Sequence, residues 1–230
     1  MQNTITIPTR PKRKFVTENL IIDSWNKLKF LFDNLVERKI SSATELEQWM
    51  LDRSELEVVL NEDFGWRYIK NKIDTNDKEL AERFLFWIKE ISPNTSPYSH
   101  KLNLKLVESP YLKELDQEKY RIYLRSVKKQ IEIFREENIP LYTTMEEKQQ
   151  EYGAIAAKMS IEVDGEKLTM QKASLLLKNT DRKKREEIYN KLTTRRLQDE
   201  KALDDLFDEL IVLRQKIARN AGFDNYRDYM

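Results

Sequence analysis

The chain has 230 residues, of which 40% are hydrophobic and 35% are charged, and its 41 Lys and Arg nearly balance its 40 Asp and Glu. This balance leaves no net field to attract nucleic acid or an anionic membrane, and the absence of cysteine excludes disulfides, thiolate metal sites and a cysteine nucleophile. With only 4 glycines and 6 prolines to form turns, the composition predicts an all-α protein, mainly of long helices around a sizeable core.

The N-terminal region is predicted to hold an arm and two helices. Residues 1–14 are polar, contain proline and end in a basic run, which favours a flexible basic arm. Asp23 is the expected N-cap of the first helix and Lys39 its expected end, while Ser42 and Glu45 have the spacing of a capping box for the second. Apolar spacing predicts buried stripes at Trp25, Leu28, Phe32, Leu35 and Val36, and at Leu46, Trp49, Leu56, Val59 and Leu60.

The next segment mixes helix signals with turn signals. An aromatic patch around Gly65 precedes a third helix, for which Thr75 is the expected N-cap. The Ser- and Pro-containing residues 92–97 are predicted to break that helix. Leucines alternate with polar residues over 101–107, and this period of two fits either a short strand or an extended linker.

Two helices are predicted after residue 107. Asp116 is expected to start a long helix that Pro140 ends, because proline cannot donate the backbone hydrogen bond that a helix interior needs. Thr144 and Glu147 then have capping-box spacing for the following helix.

The clearest β signal is an Asp-Gly pair. Asp164 and Gly165 lie between apolar–polar alternations and can adopt the positive backbone angles of a tight primed turn. They predict one small β-hairpin near residues 160–168, after which Thr169 is expected to start a helix.

A long helix is predicted near the C-terminus. Asp181 is its expected N-cap, and no breaker follows before Gly222, which predicts one helix of roughly 60 Å. Its leucine stripe must bury against neighbouring helices: Leu203, Leu206, Leu210, Leu213 and Ile217. Asp224 offers a further N-cap, and Tyr226, Tyr229 and Met230 begin another apolar face. Because a helix of one or two turns cannot sustain itself, we expect the chain to be interrupted in mid-domain.

No combination of residues predicts a complete catalytic or metal site. His100 is the only histidine and is interpreted as an exposed loop residue, so no two-histidine zinc site or histidine-relayed triad can form. The adjacent carboxylates Glu136 and Glu137, like Asp204 and Asp205, point in different directions on a helix. The glycines are isolated, which excludes a phosphate-binding loop. We therefore predict no catalytic, cofactor-binding or metal-binding residue.

Other polar motifs have structural interpretations. The basic residues Arg182, Lys183, Lys184, Arg185, Arg195 and Arg196 alternate with Glu186, Glu187, Asp199 and Glu200, which predicts an ion-paired helix surface. The Asp164–Glu166 segment lacks the alternating oxygen ligands of a calcium loop, so a turn is favoured. A single-stranded nucleic-acid binder is disfavoured because the tryptophans occupy core-like positions: Trp25, Trp49, Trp66 and Trp87.

Five stretches carry a resemblance through their order and spacing. They are residues 45–69 (ELEQWMLDRSELEVVLNEDFGWRYI), 134–141 (FREENIPL), 164–173 (DGEKLTMQKA), 181–189 (DRKKREEIY) and 220–230 (NAGFDNYRDYM). Each alone is only a helix, hairpin or cap pattern. Together they resemble the N-terminal part of oligoendopeptidase F and its relatives in the thimet-oligopeptidase-like zinc peptidase family.

The resemblance implies a metalloendopeptidase that hydrolyses short peptides. In this family an H-E-x-x-H helix and a later glutamate bind zinc, and the glutamate of the motif activates water. That motif lies downstream of the segment similar to residues 220–230, so none of its residues is in this sequence. Zinc is therefore expected in the full-length protein and not in this fragment, whose helices are implied to form one wall of a deep substrate channel.

These inferences define the expected organisation. Residues 1–14 form the arm, 15–179 an N-terminal helical lobe with the hairpin, and 180–230 the long helix and the start of the catalytic domain. The alternative is a non-enzymatic helical scaffold or coiled-coil module, because a long helix with a leucine stripe also binds partners. The sequence shows no secretory signal and no membrane span, so a soluble cytoplasmic protein is expected, with its oligomeric state undefined.

Overall fold

The computed structural model describes residues 12–75 and 77–230, which are mainly helical with one two-stranded hairpin. The predicted all-α class with a small hairpin is confirmed. In chain order the elements are α1 (Asn26–Glu37), α2 (Ala43–Ile73), α3 (Lys78–Phe86), α4 (Ser92–Glu108), α5 (Gln117–Ile133), α6 (Ile139–Lys158), β1 (Ser160–Val163), β2 (Glu166–Thr169), α7 (Met170–Leu175), α8 (Arg182–Leu197), α9 (Glu200–Asn220) and α10 (Tyr226–Tyr229). No helix of the described ranges is both long and apolar enough to cross a membrane.

The chain divides into two compact units. Unit 1 is Met1–Lys70 with Lys89–Phe134, and unit 2 is Asn71–Ile88 with Arg135–Met230. The predicted division at residues 179 and 180 stays a prediction. Residues 1–11 of the predicted arm lie outside the described residues.

The core of unit 1 is built from the predicted apolar stripes. Helix α4 packs against α1 and α5. The buried side chains include Leu28, Phe32 and Leu35 of α1, Leu46, Trp49 and Leu56 of α2, Leu102 and Leu106 of α4, and Leu124 and Val127 of α5. Their three- and four-residue spacings place them on one face of each helix. The stripes predicted on the first two helices are therefore confirmed at their central positions.

The predicted helix starts in unit 1 are partly right. The prediction for Asp23 is wrong, because α1 begins at Asn26 and the Asp23 carboxylate accepts a hydrogen bond from Lys27 Nζ at 2.6 Å. Helix α1 also ends at Glu37, before Lys39. The Ser42 cap is confirmed, since its Oγ accepts from the Glu45 backbone N–H at 3.2 Å.

Residues 92–108 form a helix where the sequence predicted a break followed by a strand or linker, and both predictions are wrong. A π turn (Trp87–Ile91) leads directly into α4. Pro93 lies in the first turn of α4, where a helix does not need its N–H. Leu102 and Leu106 are buried four residues apart, a spacing common to a helix face and to a period of two.

Of the three predictions for the boundaries of α5 and α6, one is correct and two are wrong. Asp116 caps α5 as predicted, and its carboxylate accepts hydrogen bonds from the backbone N–H groups of Glu118 and Lys119. Pro140, predicted to end a helix, lies in the first turn of α6. The predicted cap at Thr144 is wrong, because its hydroxyl donates to the Pro140 carbonyl at 3.0 Å within the helix.

The third helix is capped by a residue other than the one predicted. Asp77, not Thr75, is the N-cap of α3, and its carboxylate accepts from the backbone N–H groups of Glu79 and Leu80. Aspartate in this position satisfies two of the N–H groups that have no partner within the helix.

The hairpin of unit 2 is confirmed as predicted. Strands β1 and β2 pair antiparallel, and the turn residues Asp164 and Gly165 have φ angles of 53° and 83°. Thr169 caps α7 by accepting from the Lys172 backbone N–H. The hairpin, α7 and α8 enclose one hydrophobic cluster: Met159, Ile161, Val163, Met170, Ala173, Ile188 and Leu192.

The predicted 60 Å helix is two helices. Asp181 caps α8 as predicted, but α8 ends at Leu197 and α9 begins at Glu200. At the break, the Arg195 guanidinium pairs with the Asp199 carboxylate. Helix α9 packs on α6 through a second cluster made of Met145, Leu206, Leu210 and Ile217, so the predicted leucine stripe is confirmed.

The end of α9 has a regular C-terminal cap. Gly222 has φ of 90°, and hydrogen bonds run from its N–H to the Arg219 carbonyl and from the Phe223 N–H to the Ala218 carbonyl. This is the Schellman pattern, which favours glycine at the left-handed position. Asn225, not the predicted Asp224, then caps α10.

Candidate functional site

The only histidine of the sequence, His100, has surroundings typical of a packing residue. His100 lies within α4, not in a loop, and it is partly buried, so the predicted exposed loop position is wrong. Its ring stacks on Phe134 with centroids 4.0 Å apart, and burial lowers its pKa. Nδ1 is buried without a hydrogen-bond partner among the described residues. A neutral, stacked imidazole in a helical interface packs as an aromatic ring and offers no acid–base partner.

The described residues do not fit a metal ion. Within 12–75 and 77–230, no group of three or more His, Cys, Asp or Glu side chains could hold one. Asp164 instead forms an ion pair with Lys184 at 2.7 Å, next to the hairpin turn. The paired carboxylates predicted to lie on solvated faces, Glu136–Glu137 and Asp204–Asp205, are all exposed.

The basic residues of α8 are used in local structure. Besides Lys184, Arg185 donates to the carbonyls of Asn179 and Thr180, and Arg195 pairs with Asp199. The expected ion pairing is therefore present between Arg195 and Asp199, whereas Lys184 pairs with Asp164 of the hairpin and Arg185 binds backbone carbonyls. Of the four tryptophans, Trp49 and Trp87 are buried, but the core-like position predicted for Trp66 is wrong, because its side chain is 56% exposed.

Unit 1 contains a chain of hydrogen-bonded polar side chains that links three helices, and its two central members, Arg53 and Asn103, are buried. Arg53 of α2 is only 4% exposed; its Nε donates to Glu57 at 2.7 Å and its Nη2 donates to Asn103 of α4 at 2.7 Å. The Asn103 amide in turn donates to Gln130 of α5 at 3.1 Å. Buried polar groups need such partners, so this chain fixes the register of α2, α4 and α5.

Two charged side chains of unit 1 cap backbone groups of other segments. Lys105 Nζ donates to the carbonyls of Leu35, Val36 and Arg38 at 2.8, 2.8 and 2.5 Å, which satisfies the C-terminal end of α1. Burial lowers the Lys105 pKa, and the nearby Arg38 charge lowers it further. This lysine therefore acts as a helix cap.

Glu55 binds backbone N–H groups, whereas Lys105 binds backbone carbonyls. Its carboxylate accepts from the backbone N–H groups of Lys14, Phe15 and Val16 at 2.6 to 3.1 Å. Burial by itself would raise the Glu55 pKa, but the three backbone donors outweigh it and the pKa is lowered. The last residue of the predicted arm is thus fastened to α2.

Unit 2 contains a cluster of titratable side chains that the sequence did not predict. Tyr142 and Glu146 lie one turn apart on α6, and the Tyr142 hydroxyl is hydrogen-bonded to the Tyr229 hydroxyl of α10. Burial is the main cause that raises the pKa of Tyr142, Glu146 and Tyr226, and the negative charge of Glu146 contributes to the shift of Tyr226. The one sign of this cluster in the sequence was the i, i+4 spacing of Tyr142 and Glu146, which places both on one face of a helix.

Arg214 of α9 completes this cluster. Its guanidinium carbon lies 6.0 Å from the centre of the Tyr226 ring, within cation–π range. Neither Arg214 nor Glu146 forms a hydrogen bond or a close ion pair with any residue that the structure describes, although the Lys72 charge opposes the effect of burial on the Glu146 pKa. The cluster holds no nucleophile paired with a base and no set of metal ligands, so its chemistry is that of binding and not of catalysis.

Comparison with known proteins assigns the chain. A family model described as the peptidase M3 N-terminal domain matches residues 17–134, just over half of the sequence. The chain belongs to the peptidase M3 family. The resemblance read from the sequence is thereby confirmed, and the matched region ends where unit 1 ends, at Phe134.

Solved structures extend the fold similarity of this peptidase M3 chain to unit 2. A PZ peptidase A solved with an inhibitor matches 94% of the chain with a TM-score of 0.82 and 22% identity. A Bacillus anthracis protein assigned as an oligoendopeptidase F matches 89% with a TM-score of 0.83 and 22% identity, and a further protein so assigned matches 95% with 0.84 and 23%. No curated protein sequence matches the chain.

The peptidase M3 chain corresponds to a minority of each relative. It spans 39% of the PZ peptidase A, 38% of the Bacillus anthracis protein and 39% of the third protein. At this identity the similarity shows the fold, and no residue role is transferred from these proteins. The absence of catalytic, cofactor-binding and metal-binding residues from the sequence stays a prediction.

Proposed function

We propose that this chain is the non-catalytic N-terminal part of a zinc-dependent oligoendopeptidase that hydrolyses short peptides. The observation that carries the proposal is the match of residues 17–134 to the peptidase M3 N-terminal domain. The described residues offer no metal-binding group, so the zinc and the reacting residues belong to a catalytic segment outside them. We also propose that the protein acts in the cytoplasm, since a chain without cysteine suits a reducing compartment.

The role proposed for these helices is selection of substrates by size. Helices fixed to one another by buried polar side chains, such as Arg53 with Asn103, form a stiff wall for a substrate channel. A folded protein cannot enter a narrow channel, whereas a short flexible peptide reaches the metal at a small cost in ordering. The wall would thus determine which substrates are cut without contributing to bond cleavage.

The test is a peptidase assay on the full-length protein that contains this chain. Peptides of graded length around one cleavable sequence should show kcat/KM falling at least tenfold from the shortest good substrates to long ones, with no cleavage of a folded protein. A zinc chelator should abolish turnover, and added zinc should restore it. The 230-residue chain alone should be inactive.

Two results would contradict the proposal in different ways. Cleavage that is indifferent to peptide length, or that extends to folded proteins, would remove the size-selection role. Absence of any metal-dependent peptidase activity from the full-length protein would remove the enzymatic assignment and favour a helical scaffold.

A further inference from the structure

A groove with a volume of about 960 Å³ runs along the exposed side of α5 in unit 1. The described residues that line it all belong to this helix, and four of them are basic: Arg121, Arg125, Lys128 and Lys129. Two are acidic, Glu118 and Glu132. Four positive and two negative charges give this lining a net charge of +2, although the charges of the chain as a whole nearly cancel.

Both acidic residues of the groove are paired within α5. Glu118 pairs with Arg121 at 3.5 Å, and Glu132 pairs with Lys129 at 3.1 Å. Each pair is separated by three residues, a spacing at which side chains on a helix meet. The pairs lie toward the two ends of the groove, so its excess of positive charge lies at the centre.

The centre of the groove holds two cations without counter-ions. Arg125 and Lys128 are exposed, and neither forms a hydrogen bond or ion pair with any residue that the structure describes. Several other cations of unit 1 pair with carboxylates of the same unit: Arg38, Arg53, Arg67 and Lys119. Like charges three residues apart on a helix reinforce each other's field, and a concave surface concentrates that field. The centre of the groove therefore attracts an anionic group.

Arg121 extends this positive strip by one helical turn. Its 3.5 Å pair with Glu118 is exposed and contributes little, which leaves the guanidinium available to a ligand. Arg121, Arg125 and Lys128 follow at intervals of four and three residues, so they lie on one side of α5. Four residues rise roughly 6 Å along a helix, and two residues of an extended chain span roughly 6.6 Å. Carboxylates at alternate positions of an extended peptide therefore match the spacing of Arg121 and Arg125.

An apolar side chain lies next to the strip. Ile122 lines the same groove and is 65% exposed. Covering its surface favours a ligand with apolar groups, such as a peptide, over a free inorganic anion. Single-stranded nucleic acid is less well matched, because the described lining contains no aromatic side chain on which bases could stack.

We propose that the α5 groove, defined by Arg121, Ile122, Arg125 and Lys128, binds peptides that carry carboxylates at alternate positions. The two arginines each bind one carboxylate through the paired donors of the guanidinium, and Lys128 adds a further positive charge. Ile122 contacts an apolar part of the same peptide. The inference rests on the proposed function and deepens it, because it gives the full-length peptidase a preference for acidic short peptides.

The test is binding of an acidic peptide to the full-length protein after removal of zinc, so that the peptide is not cut. The probe is fluorescein-labelled Glu-Ala-Glu-Ala-Glu with blocked ends, followed by fluorescence anisotropy. The double variant Arg125→Gln, Lys128→Gln should weaken binding at least tenfold. The matched control is Lys70→Gln, Lys113→Gln, which removes the same charge from two exposed lysines of unit 1 and should change binding less than twofold.

Further probes test what the groove recognises. The peptide Gln-Ala-Gln-Ala-Gln has the same shape without the charges and should bind at least tenfold more weakly. Ala-Glu-Glu-Glu-Ala directs neighbouring carboxylates to opposite sides of an extended chain and should bind at least threefold more weakly than the alternating peptide. Raising the salt concentration from about 0.05 M to about 0.5 M should weaken the alternating peptide at least fivefold, because exposed charges are screened.

Peptidase kinetics connect the groove to substrate choice. Two substrates of the full-length protein should differ only in carrying glutamate or glutamine at alternate positions. We expect kcat/KM to favour the glutamate substrate at least tenfold. The double variant Arg125→Gln, Lys128→Gln should reduce this preference to less than twofold, whereas Lys70→Gln, Lys113→Gln should retain it.

The outcomes separate this inference from the proposed function. Equal binding of the glutamate and glutamine peptides, or equal weakening by the two double variants, would overturn the groove while leaving a peptidase. Equal binding of the alternating and consecutive glutamates would overturn the proposed register. Tighter binding of a short oligothymidine would assign the groove to nucleic acid, and dimers that Arg125→Gln, Lys128→Gln dissociates in sedimentation would assign it to a second copy; either result contradicts a peptide site. Glutamate-dependent binding in a full-length protein without peptidase activity would support the groove and contradict the proposed function.

Discussion

The two units differ in how they accommodate partly buried charge. In unit 1, Arg38 pairs with Asp52 at 2.5 Å, Arg53 pairs with Glu57 at 2.7 Å, and Lys105 satisfies the carbonyl end of α1. Even so, Arg53 Nη1 is buried without a hydrogen-bond partner among the described residues. The buried polar side chains of unit 2 are amides, Asn71 and Asn138. Unit 1 thus buries charged groups, whereas unit 2 buries neutral polar ones.

Both units also use polar side chains that cross between segments. In unit 1 these bonds run from Arg53 to Asn103 and from Trp49 Nε1 to the Leu35 carbonyl at 2.8 Å. In unit 2 the buried Asn138 amide donates to the Ile217 carbonyl at 3.0 Å and accepts from Asn220 at 2.7 Å, beside the two apolar clusters. Such directional bonds define helix register more sharply than apolar contacts do.

The largest effect is expected from removing the central tryptophan of unit 1. Trp49 is fully buried and Trp66, on the same helix, is 56% exposed. Trp49→Ala should lower the free energy of unfolding by about 3 to 5 kcal/mol, since it leaves a cavity in the core. Trp66→Ala should change it by less than about 0.5 kcal/mol. Urea denaturation followed by circular dichroism measures both, and equal losses would contradict the packing described for unit 1.

A smaller loss is expected from interrupting the buried polar chain. Asn103→Ala leaves Arg53 Nη2 and Gln130 without their partners, which should cost about 2 to 3 kcal/mol. Asn190→Ala, on an exposed face of α8, should cost less than about 0.5 kcal/mol. Hydrogen exchange should show faster opening in α4 and α5 for Asn103→Ala, and unchanged exchange there would show that this polar chain does not hold unit 1 together.

The cap that Glu55 provides should depend on pH. Because its folded pKa is lowered, the stabilisation is complete above the unfolded value of 4.5 and is lost as the pH falls through the lower folded value. Glu55→Gln should therefore be less stable than wild type by about 1 to 2 kcal/mol at pH 7, with the difference shrinking below pH 4.5. Denaturation at a series of pH values checks this, with Glu186→Gln as an exposed control; a constant difference would exclude the carboxylate as the cause.

The smallest effects contrast one glycine from each unit. Gly65 lies inside α2 with open space at its Cβ position, so Gly65→Ala should raise stability by about 0.5 to 1 kcal/mol. Gly222 has φ of 90° at the end of α9, so Gly222→Ala should lower stability by about 1 kcal/mol. Thermal unfolding of both variants gives the signs directly. Two shifts of the same sign would contradict one of the two backbone assignments.

Local chemistry made some elements predictable. Ser42, Asp116, Thr169 and Asp181 each cap the helix that the sequence assigned to them, because a short polar side chain can reach the free N–H groups of the first turn. The hairpin was predictable for a similar reason, since Asp-Gly tolerates positive φ at adjacent residues. Where a cap was misassigned, as at Thr75 and Asp224, a neighbouring Asp77 or Asn225 provides it.

Other features depended on contacts between segments distant in sequence. Helix α4 forms through residues 92–97 because Leu102 and Leu106 pack within unit 1, which outweighs the unfavourable proline signals. The prediction placed His100 in a loop because residues 92–97 were expected to end the helix. Its stacking on Phe134 requires α4 and the end of α5 to be adjacent. Propensity is a weak local preference that such packing overrides.

The sequence by itself determined the helical class, the hairpin, most apolar stripes and the peptidase M3 resemblance, because these depend on residue type and spacing along the chain. Only the tertiary structure showed that Tyr142 and Tyr229 are hydrogen-bonded and that Arg214 stacks over Tyr226. These residues lie on α6, α9 and α10, and Tyr142 is far from the others in sequence. The cluster therefore follows from packing, which a pattern of spacings does not contain.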